Sequence, residues 1–309
     1  IDNSIEALKN FAGTGLSLIE VSHRGKEFVQ VMDDATSIVK EIMGLGEEYE
    51  VLLLQGGAST QFLMVAYNLL NKKAAYVNTG TWSKKSIKEA KLFGEVNVVA
   101  SSEGENFSYI PNNYEVSDDH DYLHITSNNT IFGTQMHSFP EVNVPLICDM
   151  SSDIFCRQID FSQFDLIYAG AQKNMGPAGT TLVVIKKDIL GKVERQIPSM
   201  LNYQIHMDKG SMFNTPPVFA VFCSLQTLKW VKETGLDVIE QRNRDKAELL
   251  YSEIDRNPLF RGVAAEKDRS MMNVTFNLID SSREAEFLQA CAEANISGIK
   301  GHRSVGGFR

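Results

Sequence analysis

The chain has 309 residues, 43% hydrophobic and 22% charged, with a formal net charge of -9. This balance specifies a globular protein with a large core or two domains, and it excludes a disordered tail or a collagen-like repeat. Acidic charge without any basic block excludes a nucleic-acid footprint, and no apolar run reaches the ~18 residues of a membrane span, so a soluble, cytoplasmic protein is expected.

In chain order, the first element is an amphipathic helical pattern, SIEALKNFAG, entered with no initiator Met. The last residue, Arg309, follows shortly after a glycine pair, and both ends are expected to be incomplete. A helix of the 3.6 period then carries Phe28, Val31, Met32, Ala35, Ile38, Val39 and Ile42 on one face, with Gly44 as its stop. Seven β-type runs follow, separated in several places by helical patterns: VLLLQ from Val51, AAYVN from Ala74, VNVVA from Val96, YLHIT from Tyr122, VPLICD from Val144, FDLIYA from Phe164 and TLVVIK from Thr181. The alternation predicts an α/β fold whose seven-stranded, mostly parallel sheet is covered by helices on both faces. A charged helix over 236–256 leads into a second set, strand MMNVTFNL, helix REAEFLQACAEAN and strand GIKGH. We read residues 1–240 as a large domain and 241–309 as a smaller C-terminal α/β domain. Cys148, Cys156, Cys223 and Cys291 lack a C-x-x-C pairing and read as reduced thiols.

In such a sheet, ligands lie beyond the carboxyl ends of the strands. After VLLLQ comes Gly56-Gly57-Ala58-Ser59-Thr60, whose N–H groups and hydroxyls suit a phosphate at a helix N-terminus. After AAYVN comes Trp82, after YLHIT Asn128-Asn129-Thr130, and after VPLIC the carboxylate of Asp149. After FDLIYA comes Lys173, set in a hinge of Gly170, Ala171, Gly176, Pro177, Ala178 and Gly179. Each feature alone has an ordinary reading: a strand-to-helix turn, a core indole, a helix cap, a solvated lysine. Their coincidence on successive strand ends has none. His120 and His124 fall four apart on a predicted strand, which offers no shared metal face, and no metal is expected.

The chemistry that needs this set is that of pyridoxal 5'-phosphate. A lysine forms the Schiff base, a carboxylate pairs with the pyridinium nitrogen, an aromatic ring covers the pyridine, and a cup takes the phosphate. The lysine must also lose some solvation so that its amine is deprotonated, and small neighbours provide the close approach.

The segments SHRGKEF, LQGGAS, DMSSDIF, GAQKNMGPAG, GSMFNTPP and GIKGHRSVGGFR, in this order and spacing, resemble the phosphoserine aminotransferases, class-V aminotransferases of PLP fold type I, over essentially the whole chain. The resemblance implies a homodimer with shared active sites. It also implies amino transfer from L-glutamate to 3-phosphohydroxypyruvate, giving O-phospho-L-serine and 2-oxoglutarate, with 4-phosphooxy-L-threonine synthesis for vitamin B6 as a frequent second role in bacteria. Carried over by motif, Lys173 holds the cofactor, Asp149 its ring nitrogen, Trp82 its face, Ala58, Ser59 and Gln172 its phosphate, and Thr130 lies at the ring hydroxyl or near it. Asn214 and Thr215 are implied to reach that phosphate from the partner subunit. His23, Arg24, His302 and Arg303 match the substrate-phosphate cluster, and Arg309 the α-carboxylate clamp. Some relatives carry a basic residue where this chain has Ser59, so backbone N–H groups and a hydroxyl must bind the phosphate here. Two other readings stay open: another fold-type-I PLP enzyme, such as a different small aminotransferase or a cysteine desulfurase, and a non-enzymatic nucleotide-binding α/β protein. The second leaves Lys173 and Asp149 idle, and neither G-x-x-x-x-G-K-[ST] nor G-x-G-x-x-G occurs to support it.

Overall fold

A computed structural model describes residues 1–303 and 305–309 and turns all seven β-type runs into one sheet. Its strands are β1 Tyr49–Leu54, β2 Lys73–Asn78, β3 Glu95–Ser101, β4 Leu123–Thr126, β5 Leu146–Asp149, β6 Leu166–Gly170 and β7 Thr181–Lys186, in the order β1-β7-β6-β5-β4-β2-β3. The pairs β2–β3, β2–β4, β4–β5 and β5–β6 are parallel, and β7 runs antiparallel to both β1 and β6. The reason lies in the connection: residues 171–180 join β6 to β7, and a parallel crossover needs roughly a dozen residues or more. The hinge of small residues is therefore a turn between neighbouring strands.

The helices are α1 Asp2–Lys9, α2 Lys26–Met43, α3 Gly57–Leu69, α4 Thr81–Ala90, α5 Tyr203–Asp208, α6 Val218–Thr234, α7 Leu236–Arg256 and α8 Glu284–Glu293. Helix α2 buries Phe28, Val31, Met32, Ala35 and Val39, with Ile38 and Ile42 packed at its margin. Gly44 closes it in the left-handed region at φ 64°, its N–H reaching the carbonyls of Lys40 and Glu41. Helices α2 and α6 cover one face of the sheet with Val51, Leu53, Ala75 and Val77, while α3 and α4 cover the other with Leu52, Leu54, Ala74 and Tyr76. Apart from the edge strand β3, strands buried on both faces explain why the runs read as continuously apolar rather than alternating.

Helix α7 serves two cores. Ile239 joins the main core and Asn243 Nδ2 donates to the Cys156 carbonyl at 2.9 Å, whereas Ala247, Tyr251 and Ile254 pack with Phe276, Leu278 and Phe308 in a separate cluster. That cluster sits on an antiparallel pair, β8 Phe260–Gly262 and β9 Phe276–Leu278, with α8 against it. The expected strand MMNVTFNL forms only as β9. The N–H groups of Met271, Met272 and Asn273 bond the side chains of Gln135 and Ser270 instead of a neighbouring strand. GIKGH is not a strand. Lys300 makes one bridge to Phe308, because Gly298 turns at φ 74° and Gly301 lies so close to Gly306 that a Cβ would stand 2.3 Å from its carbonyl oxygen. Strand β8 has three residues and no apolar periodicity, and the sequence reading missed it. Among the described residues, no helix is long and apolar enough to cross a membrane.

Candidate active site

The carboxyl ends of β1, β4, β5 and β6 open on one cavity of about 310 Å³, walled by the start of α3, Trp82, Thr126, Asp149, Gln172 and Lys173. Lys173 stands on the β6–β7 hinge. There the Ala171 carbonyl accepts from the N–H groups of Met175 at 3.0 Å and Gly176 at 2.9 Å, while the Ala171 N–H bonds the Thr180 carbonyl at 3.0 Å. A Cβ on Gly176 would lie 2.7 Å from Ser224 Oγ and 3.1 Å from the Ser224 Cα, so the small residues let the hinge rest directly on α6. Lys173 Nζ donates to Thr130 Oγ1 at 3.0 Å and lies 5.5 Å from the centre of the Trp82 ring. Its amine faces an open cavity, yet the surrounding protein lowers its pKa through lost solvation. Asp149 and Asp153 oppose that shift and the Arg309 guanidinium adds to it.

Asp149 ends β5 between Thr126 of β4 and Tyr168 of β6, its Cα neighbours in the parallel register. It is 4% exposed. Oδ1 accepts the Ser151 N–H at 2.9 Å. Burial raises its pKa, while the Ser151 side chain, the Ser151 N–H and the Lys173 charge work against that rise. A buried carboxylate is stabilised by a ligand that brings a positive N–H. Beside it, Thr126 Oγ1 is buried without a partner among the described residues, as is Trp82 Nε1.

At the other end of the cavity, Gly56 and Gly57 take φ 93° and 67° to start α3, and a Cβ on Gly56 would stand 2.0 Å from Thr60 Oγ1. The Gly57 N–H is held by Thr181 Oγ1 at 2.8 Å, and the N–H groups of Ala58 and Ser59, in the first turn, have no intrahelical partner. Gln172 folds back over Gly170, where a Cβ would meet its Oε1 at 2.6 Å. Pyridoxal phosphate fits these residues: an anion for the α3 terminus, a ring N–H for Asp149, a flat ring beside Trp82 and a carbonyl for Lys173.

Residues 1–307 match the family model of class-V aminotransferases. The chain belongs to that family. It is 58% identical over 312 residues to a phosphoserine aminotransferase of Parabacteroides distasonis, covering 100% of this chain and 88% of the relative. Among solved structures, the phosphoserine aminotransferase of Bacillus circulans subsp. alkalophilus superposes with a TM-score of 0.96 at 42% identity, covering 100% of this chain and 87% of that one. A PLP-bound phosphoserine aminotransferase of Trichomonas vaginalis gives 0.93 at 35% identity, covering 99% and 89%. The sheet and its helices are those of PLP fold type I.

In this aminotransferase, Arg309 comes close enough to Lys173 to act on its charge, and its Nη1 donates to the Thr130 carbonyl at 3.5 Å. It lines a second cavity of about 680 Å³ with Phe107, Ile131 and Phe132, the side chains that pack against Trp82. The remaining expected residues lie elsewhere. Asn214 is half-buried and Thr215 exposed on the α5–α6 loop, with the Thr215 carbonyl held by Gln55 Nε2 at 2.6 Å, and neither lines the Lys173 cavity. His23 and Arg24 precede α2, and His302 and Arg303 are exposed on the turn before Arg309; none of the four lines that cavity. A single chain thus gathers Ala58, Ser59, Trp82, Thr130, Asp149, Gln172, Lys173 and Arg309, and leaves the expected phosphate cluster outside.

Sequence reasoning missed Thr126, Ser151 and Asp153. Thr126 is the last residue of its strand, and reading began two positions later, at Asn128. Asp153 is buried, accepts from Ser127 Oγ and from Gln135 Nε2 at 3.1 Å, and stands 3.8 Å from Arg157 Nη2. Its signal was available as a second carboxylate four residues after Asp149, which the helix-cap reading absorbed.

Proposed function

We propose that the chain transfers an amino group from L-glutamate to 3-phosphohydroxypyruvate, giving O-phospho-L-serine and 2-oxoglutarate, with pyridoxal 5'-phosphate as cofactor. The observation that carries this is the meeting of Lys173, Asp149 and the α3 terminus in one cavity of a chain 58% identical to a phosphoserine aminotransferase. When bound, the cofactor supplies the electron sink that lets an amino group move between an amino acid and a 2-oxo acid.

The residues divide the remaining work. The Ala58 and Ser59 N–H groups and Gln172 bind the cofactor phosphate, Trp82 orients the ring, and Asp149 Oδ2 holds a proton on the ring nitrogen. Lys173 Nζ holds the cofactor and, once free, moves a proton to and from the substrate α-carbon; its lowered pKa and its bond to Thr130 suit both tasks. Arg309 holds the α-carboxylate, and His23, Arg24, His302 and Arg303 hold the substrate phosphate. The enzyme works in the cytoplasm as a homodimer, in which the partner subunit's Asn214 and the partner subunit's Thr215 complete the cofactor-phosphate site. The division between large and small domains falls inside α7, near residue 240, where that helix passes from one core to the other.

Following the cofactor absorbance of the purified holoenzyme with each amino donor tests this reading. O-phospho-L-serine and L-glutamate are both expected to convert the cofactor to its aminated form, and L-serine to fail. Equal conversion by L-serine overturns the phosphorylated substrate.

A further inference from the structure

We propose that Asn128 is a positioning residue that sets the Arg309 guanidinium at Thr130, beside Lys173, by anchoring the segment 270–276. The proposal rests on the reading of Arg309 as the carboxylate clamp and adds the device that places it.

Asn128 stands in the cavity wall and is 2% exposed, yet its amide is spent on other elements. Nδ2 donates to Ser152 Oγ and to Asn273 Oδ1, each at 2.8 Å, and Oδ1 accepts the Ser270 hydroxyl at 2.5 Å. With both donors and an acceptor engaged, the amide has little left for a ligand in the cavity. Ser270 Oγ is itself a hub, accepting the N–H groups of Met272 and Asn273 at 3.0 Å each. The same segment is held by Ser270 N–H on the Gly133 carbonyl at 2.9 Å and by Thr275 Oγ1 on the Phe132 carbonyl at 3.0 Å. Gly133, at φ 74°, comes so near that a Cβ would stand 2.3 Å from Thr275 Oγ1.

From this anchor the path to Arg309 is short. Phe276 exchanges two backbone hydrogen bonds with Phe308, at 3.1 and 2.9 Å, and Arg309 is the next residue, with Nη1 on the Thr130 carbonyl. The stretch 128–135 therefore grips the segment at its start, through Asn128, and the guanidinium at its end, through Thr130. A buried polar network of this kind specifies one arrangement. Its loss leaves Ser270 and Asn273 without their partner and lets the segment shift, and a shift of about 1 Å at a reacting centre costs up to about 10²-fold.

The test compares Asn128→Ala with Ser270→Ala, which breaks the same contact from the side away from the cavity. Both are expected to raise KM for L-glutamate and for O-phospho-L-serine by about tenfold with kcat changed by less than about threefold. The cofactor dissociation constant, read from tryptophan quenching as the cofactor-free enzyme is titrated with pyridoxal phosphate, should stay within about twofold. In an Arg309→Ala background, Asn128→Ala should add less than about twofold to KM, since the two residues act as one unit. A weakened cofactor constant in Asn128→Ala, losses that multiply in the double variant, or a lower melting temperature with KM unchanged would each overturn the proposal. Raised KM in Arg309→Ala beside inert Asn128→Ala and Ser270→Ala overturns this inference alone. Unchanged KM in Arg309→Ala overturns the reading of Arg309 itself, and this proposal with it.

Discussion

Lys173 and Arg309, separated by most of the C-terminal half of the chain, converge on one residue: Lys173 Nζ donates to the Thr130 hydroxyl at 3.0 Å and Arg309 Nη1 to the Thr130 carbonyl at 3.5 Å. Among the described residues, Arg309 makes no ion pair with a carboxylate. Two cations that meet at one residue form a site for an anion, and the Arg309 charge makes it easier for Lys173 to lose its own.

The first prediction follows from that pair. Burial lowers the Lys173 pKa and Arg309 adds repulsion, so Arg309→Met removes only the second cause and the pKa rises. Cofactor capture by the cofactor-free enzyme needs the neutral amine. The capture rate, measured against pH, should therefore begin its climb at higher pH in Arg309→Met than in the wild type. Superimposable profiles would show that the guanidinium does not act on Lys173.

Lys173→Ala is expected to leave a folded protein that binds the cofactor without a covalent link and has lost transamination by several orders of magnitude. Borohydride reduction of the wild-type holoenzyme, followed by peptide mapping, should place the pyridoxyl label on Lys173. A label on another lysine refutes the assignment.

Asp149 separates stability from activity. Its folded pKa is raised above the ordinary 3.8 by burial, so ionisation costs more in the folded chain than in the unfolded one. This penalty is absent well below pH 3.8, grows as pH rises from there through the raised folded value, and is complete above it. The amide introduced by Asp149→Asn carries no charge, and its oxygen can still accept the Ser151 N–H. Thermal melts of the cofactor-free Asp149→Asn variant should thus show higher stability than wild type at about pH 7 and a gap that closes on acidification. Activity should fall on the order of 10²-fold or more, because the ring nitrogen loses its counter-charge.

Specificity turns on the phosphate. Losing one charge-assisted contact of ~1.5 to 3 kcal/mol corresponds to roughly 10- to 100-fold in affinity. Arg24→Ala and Arg303→Ala should raise KM for O-phospho-L-serine by that factor and for L-glutamate far less, whereas Arg309→Ala should raise both. Half-reactions followed by cofactor absorbance measure this, and equal losses for both donors in the Arg24 and Arg303 variants would remove those residues from the phosphate cluster.

Assembly is the last expectation. Asn214 and Thr215 do not line the cavity of their own chain, so the active species should be a dimer and Asn214→Ala should weaken cofactor binding although its own cavity is intact. Light scattering during assay, together with cofactor titration, checks both, and an active monomer would be decisive against it.

The sequence alone determined the seven strands, the buried face of α2 and its Gly44 stop, and the placing of Asp149 and Lys173 at strand ends, because these follow from apolar periodicity and turn chemistry within windows of a few to twenty residues. It also carried the family signature in the segments around Lys173 and Asp149. Tertiary structure alone decided that Arg309 meets Lys173 at Thr130, that Asn128 holds Ser270 and Asn273, that Thr126 lies unmet beside Asp149, and that the Met271 N–H bonds the Gln135 side chain instead of a neighbouring strand. Those contacts join segments more than a hundred residues apart or depend on which way a strand-end side chain faces, and no local pattern records either. They exist because seven strands and two cores pack in one particular order, which brings remote polar groups within hydrogen-bonding distance only once the chain has folded.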